Sequence, residues 1–271
     1  MEETWKPSYV AFCHSGGNLS LLLEVMRKLE ESNTFALVKS YSACGNGSLI
    51  ALLKYVGYSS DEIEKYISPH YNDLACDSLS VDDHAIDRYS LISDVIRNAF
   101  EPITVGVPTM KQLYLLTGKR LYLMAYNLTL NKIVYISGDS HPEMNVICAV
   151  AICMSPNFSL FYQGHSYIDA VSVEPVPVSC FEFKKKILVL QTSVLPSSLL
   201  SQRKMLHQIA LINLSHTLFR LYVSGGLYIS LRSSPSWSIK RTDRVEEIVE
   251  KALQKITKSN KKIIYSKEVF E

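Results

Sequence analysis

A stretch rich in small residues, "SYSACGNGSLIALLKYVGYS" at positions 40–59, has the pattern of a strand that ends in a tight turn and opens a helix. In hydrolases, such a turn carries the pattern Gly-x-Ser-x-Gly, and its strained backbone presents the serine as a nucleophile. Here the middle position is Gly45, between Cys44 and Asn46. The sequence therefore predicts the backbone of a nucleophile elbow without a hydroxyl group at its centre.

Two side chains beside this turn could supply a nucleophile instead. Ser42 carries a hydroxyl, but its use would need a short insertion between nucleophile and helix, which would move the hydroxyl away from the helix N-terminus. Cys44 is intrinsically more nucleophilic, and a helix N-terminus can depress the pKa of a thiol, although a buried thiol is inert. Both residues stay open as alternatives, whereas Ser48 falls inside the predicted helix.

Strands and helices alternate along the chain and must position these residues. The apolar run at 9–13 predicts a strand, and a glycine turn leads to a helix at 21–31, where apolar side chains recur at helical spacing. Further strands are predicted at 35–41, twice within 119–137, at 186–190 and at 227–231, and further helices at 48–56, 60 onward, 91–99, 144–154, 199–223 and 245–256. The alternation predicts an α/β fold with a largely parallel sheet.

Composition excludes several classes of protein. The 271 residues are 47% hydrophobic, enough for one large core, and the net charge of +2 is too balanced to predict a nucleic-acid surface. No apolar run is long enough to span a membrane, and the start lacks the layout of a signal peptide, so we expect a cytoplasmic protein. The six cysteines are dispersed without the spacing of metal ligands, which predicts buried free thiols and no metal.

The stretch from Pro108 to Val178 resembles patatin-like phospholipases. The segment "MKQLYLLTGKRLYLMAYNLT" is similar to the part of that family in which a helix, a Leu-Thr-Gly-Lys turn and a core strand precede Asn-Leu-Thr. The following "SGDSHPEMNVICAVAICMSPNF" is similar to the family's next loop and buried helix, and "YIDAVSVEPVPV" to its Asp-Gly-Gly or Asp-Gly-Ala segment. At the front, "HSGGNLSLLLEVMRKLEE" resembles the glycine-rich oxyanion loop and first helix, and "SACGNGSLIALLKYVGYSSDEI" the nucleophile elbow and second helix.

The resemblance implies a three-layer patatin-like α/β fold, in which a mostly parallel central sheet is flanked by helices. It covers residues 9–178, and residues 179–271 are expected to complete one domain over 1–271. It also implies a two-residue site in which an aspartate takes the proton of a serine nucleophile, without a histidine, a metal or a cofactor.

Each position of that site has a counterpart in this chain. Asp169 takes the base position, although Ala170 follows it where the family has a glycine. Gly45 takes the nucleophile position, which is thereby degenerate. Gly16 and Gly17 match part of the oxyanion loop, whose backbone N–H groups stabilise the developing negative charge.

The resemblance then implies a lipid acyl hydrolase scaffold that has become a pseudoenzyme and binds a lipid, a fatty acid or a protein partner, with peripheral membrane contact and no nucleic acid. One alternative is an active phospholipase or esterase that uses Ser42 or Cys44 with Asp169. Another is a host-interaction or structural protein. A degenerate copy of this kind would fit a large DNA virus, in which case we expect it in the host cytoplasm.

Overall fold

The computed structural model describes residues 6–13, 19–75, 83–155, 159–171, 173–181, 186–194, 227–233 and 264–265. The predicted oxyanion loop with Gly16 and Gly17 lies outside the described residues, as do the predicted helices at 199–223 and 245–256 and the thiol of Cys76. All statements below concern the described part of the chain.

The strands form one mixed sheet. In chain order they are β1 (Tyr9–Phe12), β2 (Ser40–Ala43), β3 (Arg120–Asn127), β4 (Lys132–Ile136), β5 (Leu160–Tyr162), β6 (His165–Asp169), β7 (Ile187–Val194), β8 (Leu227–Ser233) and β9 (Ile264–Tyr265). Strand β1 pairs in parallel with β2 and β7, β2 with β3, β7 with β8, and β8 with β9. The antiparallel pairs are β3 with β4, β3 with β6, and β5 with β6. The prediction of a mostly parallel sheet is confirmed.

In the described part of the chain, the α-helices all lie between β1 and β5 in sequence. They are α1 (Leu19–Glu31), α2 (Gly47–Tyr55), α3 (Ser60–Ile67), α4 (Tyr71–Ala75), α5 (Asp83–Phe100), α6 (Met110–Thr117) and α7 (Val146–Cys153). Helix α3 begins with a capping box between Ser59 and Glu62, and α6 with one between Thr109 and Gln112. Such reciprocal hydrogen bonds satisfy backbone N–H groups that the first helical turn leaves without a partner.

The core lies mainly on one face of the sheet. There Phe12, Tyr41 and Leu123 pack with the apolar sides of α1, α2, α5 and α7. Helix α7 is buried on nearly all sides, as its apolar sequence predicts. On the opposite face, residues of β1 and β7 pack against the segment 176–181. The predicted α/β class, with a central sheet flanked by helices, is confirmed.

Two local predictions differ from the structure, and one strand was missed. The strand predicted at 35–41 is a 3₁₀ helix at Thr34–Leu37, and β2 begins only at Ser40. Asn33 before it has a left-handed φ of 55°, and Leu37 is 60% exposed, so the apolar run turns instead of extending into the sheet. The helix predicted at 91–99 is longer in the structure, where α5 begins at Asp83 and ends at Phe100 and buries Ile92 and Ile96. Strand β5 was not predicted.

No helix within the described ranges is both long and apolar enough to cross a membrane.

Candidate active site

The turn between β2 and α2 has the geometry of an elbow. The N–H of Cys44 donates to the carbonyl of Phe12 at 3.1 Å, which holds the end of β2 against β1. The buried Gly45 then has a left-handed φ of 54°, and the N–H of Ser48 donates back to its carbonyl at 2.9 Å. A left-handed backbone at a tight strand-to-helix turn is the strain that a nucleophile position imposes, and glycine adopts it without cost.

Gly47 is required for a different reason. A Cβ atom at this position would lie 2.5 Å from the carbonyl oxygen of Cys13 and 2.9 Å from that of Phe12. These are backbone atoms of β1 and its end, so they cannot move aside as a flexible side chain would. The first turn of α2 therefore lies directly against the end of β1, which fixes the direction in which the elbow points.

The strand register places Asp169 where β2 ends. Leu123 of β3 pairs with Ala43 of β2 and also with β4, whereas Ala125 pairs with Asp169 of β6 and also with β4. A strand residue has one neighbour on each edge, so β2 and β6 lie on the same edge of β3, one after the other. Asp169 is thus two residues beyond Ala43 along β3, or about 7 Å. This is the point at which the chain turns through Gly45.

The Asp169 carboxylate lies in a nearly closed environment beside α7. Asp169 is 7% exposed, its Oδ1 accepts from the N–H of Val171 at 2.9 Å, and its own N–H donates to the carbonyl of Ser155 at 3.1 Å. Burial, followed by the negative charge of Asp169, raises the pKa of the Cys153 thiol well above its ordinary value. The Cys153 thiol therefore stays protonated at neutral pH, and it is a poor nucleophile.

Helix α2 adds the hydroxyl of Ser48 to the surroundings of Cys153. The Oγ of Ser48 is fully buried and has no hydrogen-bond partner of ordinary geometry within the described part of the chain. It still lies close enough to Cys153 to lower the pKa of that thiol, against the larger effect of burial. The structure therefore gathers Ser48, Cys153 and Asp169 on one face of the sheet, beneath the elbow.

Ser42 and Cys44 lie on the opposite face. Side chains alternate along a strand, and Ala43 shares its face with Leu123, Ala125 and hence Asp169. The Ser42 hydroxyl donates to the carbonyl of Pro177, and the Cys44 thiol approaches that of Pro175 at 3.8 Å. The structure brings both residues to the 175–177 segment and does not bring them to the carboxylate of Asp169.

A cation at the elbow was missed by sequence reasoning. The side-chain amide of Asn46 donates to the carbonyl of Leu74 at 2.9 Å and accepts from Nη2 of Arg88 at 2.8 Å. The guanidinium group of α5 thus reaches the N-terminal end of α2. Arg88 lies 42 residues from Asn46 in sequence and belongs to no motif, so only the packing of α5 reveals it.

Two histidines lie near the site without touching its carboxylate in any contact of the described residues. The rings of His141 and His165 are 6.2 and 6.3 Å from the ring of Tyr167, which lies on β6 two positions before Asp169. Burial, together with the proximity of His165, lowers the pKa of His141. Within the described residues, no group of three His, Cys, Asp or Glu side chains could hold a metal ion.

The fold has counterparts among solved structures. VipD from Legionella pneumophila matches with a TM-score of 0.60 at 12% identity, over 95% of this chain and 68% of VipD. The type III effector ExoU matches with a TM-score of 0.54 at 13% identity, over 94% of this chain and 54% of ExoU. ExoU in its heterodimeric complex with SpcU from Pseudomonas aeruginosa matches with a TM-score of 0.53 at 15% identity, over 94% of this chain and 53% of that chain.

The chain therefore spans about two thirds of VipD and about half of ExoU. No protein-family model and no curated protein sequence matches it. The solved relatives are bacterial, and they do not support the viral source considered above. At these low identities the likeness establishes architecture alone: the chain has the mixed α/β fold of the patatin-like domains of VipD and ExoU.

Proposed function

We propose that this chain is a patatin-like lipid acyl hydrolase scaffold, one domain over 1–271, that has lost its nucleophile and binds lipid without hydrolysing it. The observation that carries the proposal is Gly45. It has the left-handed backbone of a nucleophile position and lies where the register also brings Asp169. A hydrolytic cycle needs an oxygen or sulfur atom at that point, and glycine has neither.

The alternative nucleophiles are disfavoured by their surroundings. The proton of Ser42 is directed to a backbone carbonyl, which cannot accept it covalently as a carboxylate base would. Cys44 is buried among apolar side chains with Met124 and Ala170, on the face away from Asp169. A buried thiol that no base faces is a poor nucleophile.

Lipid is the ligand class we propose, because apolar helices surround the elbow. Helices α2 and α7, which carry Ser48 and Cys153, are apolar on nearly every side, and sites for acyl chains are lined mainly by such side chains. A protein partner is the second candidate, because ExoU has been solved as a heterodimer with SpcU.

A turnover assay with a short-chain ester and a phospholipid tests the loss of the nucleophile. We expect the wild type to match a protein-free control. Gly45→Ser restores a hydroxyl at the elbow and should raise turnover about a hundredfold above that background, whereas Gly45→Ala should not. Adding Asp169→Asn to Gly45→Ser should remove the gain.

Two results would count against this reading. Wild-type turnover that is lost in Ser42→Ala or Cys44→Ala would identify an active hydrolase. A folded Gly45→Ser protein without turnover would argue that position 45 is not the nucleophile position.

Binding of a fatty acid or a phospholipid monomer tests the second half of the proposal. We expect saturable binding by the wild type, and its loss in Gly45→Phe, which places an aromatic ring at the elbow. Gly106→Phe is the matched control, because Gly106 is exposed with nothing within 4 Å of a Cβ atom. If neither the wild type nor Gly45→Phe binds lipid, a scaffold for protein interaction is the better account.

A further inference from the structure

Two hairpin ends present large apolar side chains side by side. Asn127 pairs with Tyr167, and beyond that pair the N–H of Leu128 donates to the carbonyl of Ser166 at 2.8 Å. Ser166 pairs in turn with Phe161 of β5. Residues directly opposite each other point to the same face of a sheet, so Leu128 and Phe161 flank the small Ser166 on one face.

This group, which we call the tip face and define as Leu128, Leu130 and Phe161, is exposed to solvent. Phe161 is 74% exposed, Leu130 49% and Leu128 45%. Single exposed apolar residues are ordinary, but three on the ends of two hairpins that are hydrogen-bonded to each other indicate a surface that contacts something else.

The tip face is fixed in place by its own hydrogen bonds. Between β5 and β6, Gln163 and Gly164 both have positive φ, 48° and 79°, as in the tight two-residue hairpin turn. The N–H of Leu130 donates to Oδ1 of Asn127 at 2.9 Å, and the N–H of Ser166 donates to Oγ1 of Thr129 at 3.0 Å, which ties the two hairpins together. Little ordering is therefore needed when the tip face binds a partner.

The charge of the tip face favours contact with a lipid membrane. The hairpin ends 128–132 and 159–164 contain no aspartate and no glutamate, and their one cation is the exposed Lys132. Apolar side chains beside a basic residue, without acids, are suited to the boundary between headgroups and acyl chains, where anionic lipid attracts the cation.

The tip face lies at the same end of the sheet as Asp169 but on the opposite face, because Leu128 and Ser166 are each three residues from Ala125 and Asp169. Asp169 is level with Ala125, and Leu128 follows three residues later on the same chain, about 10 Å farther along β3. Leu115 of α6 is also exposed, but α6 precedes β3 and lies near its opposite end.

We propose that the tip face contacts the surface of a phospholipid bilayer, with Phe161 and the two leucines in the interfacial region and Lys132 toward anionic headgroups. The end of β3 that lies beyond Asp169 then faces the membrane. This inference does not require that a lipid enters the elbow. The membrane contact can therefore fail while the proposed function holds, and the proposed function can fail while the membrane contact holds.

Flotation with vesicles of phosphatidylcholine and phosphatidylserine tests it. We expect the wild type to float with the vesicles, and Phe161→Ser and the double variant Leu128→Ser with Leu130→Ser to bind about tenfold more weakly, because each loses apolar area at the interface. Leu115→Ser is the matched control and should bind as the wild type does. All four positions are exposed, so the variants should keep the fold.

A second readout separates insertion from mere proximity. Phe161→Trp should be quenched by brominated phospholipid more strongly than Leu115→Trp, each compared with the wild type, which has two tryptophans of its own. Absence of vesicle binding by the wild type, or equal binding by all variants, would overturn the proposal. Self-association of the wild type that Phe161→Ser abolishes, without vesicle binding, would assign the tip face to a second copy of the chain and would overturn it too.

Discussion

At the scale of single residues, the backbone at position 45 accounts for the ease with which a nucleophile could be lost. A side chain held at a φ of 54° costs about 1–3 kcal/mol, which an active enzyme tolerates because the strain positions its nucleophile. Glycine removes that cost and leaves the turn unchanged. Once hydrolysis is no longer selected, glycine at this position stabilises the same elbow.

Gly47 gives a prediction at this scale that concerns stability. Gly47→Ala should lower the free energy of unfolding by at least about 2 kcal/mol, because its Cβ would lie 2.5 Å from a backbone carbonyl oxygen. The matched control is Gly106→Ala, which meets no atom within 4 Å and changes only a residue with a φ of 80°. Gly106→Ala should lower the free energy of unfolding by about 1 kcal/mol. Urea unfolding of the two variants measures the difference, and equal costs would contradict the close approach of α2 to β1.

At the scale of elements, the two capping boxes allow a matched comparison of pH dependence. In α3, the N–H and the hydroxyl of Ser59 both donate to Oε2 of Glu62 at 2.8 Å, and these bonds lower the pKa of Glu62. In α6, the N–H of Thr109 donates to Oε1 of Gln112 at 2.9 Å, and Gln112 does not titrate. Helix caps of this type contribute about 1 kcal/mol.

The direction of the pH dependence of stability follows from the lowered pKa of Glu62. A carboxylate whose pKa is depressed on folding contributes stability above its unfolded pKa and loses that contribution as the pH falls through the folded value. Ser59→Ala should therefore cost about 1 kcal/mol at neutral pH and distinctly less once Glu62 is protonated. Thr109→Ala should cost the same at both pH values. Urea unfolding at the two pH values tests this, and a pH-independent cost for Ser59→Ala would contradict it.

The elements also show what could be predicted from sequence. Helix α7 and the pair β3 and β4 were predicted because the signals are local to each segment: an apolar run in α7, and two β-rich runs separated by a polar turn in β3 and β4. The run at 35–41 has the composition of a strand, yet Asn33 turns the chain and tertiary packing decides the outcome. At the site, Gly45 and Asp169 come from motif positions. Arg88 and Cys153 reach it only through the packing of α5 and α7, for which one sequence carries no signal.

At the scale of the whole molecule, the sheet explains how the proposed site would keep its form without a nucleophile. Strand β3 holds β2 and β6 in succession along one edge, so the elbow and the Asp169 strand are fixed by backbone pairing and not by contacts between catalytic side chains. The proposed loss of the nucleophile would therefore leave this arrangement of strands intact. The tip face lies on the ends of the hairpins that include β3 and β6, so the proposed membrane contact would lie beyond Asp169 along β3, on the opposite face of the sheet.

The loss of the nucleophile is the central claim, and labelling with a fluorophosphonate tests it most directly. This reagent transfers its phosphonyl group to an activated serine oxygen and releases fluoride, so it reports the nucleophile without requiring the natural substrate. Intact-mass analysis should find no adduct on the wild type and one adduct on Gly45→Ser, mapped by peptide analysis to position 45. An adduct on Ser42 or another serine of the wild type that Asp169→Asn abolishes would contradict the account.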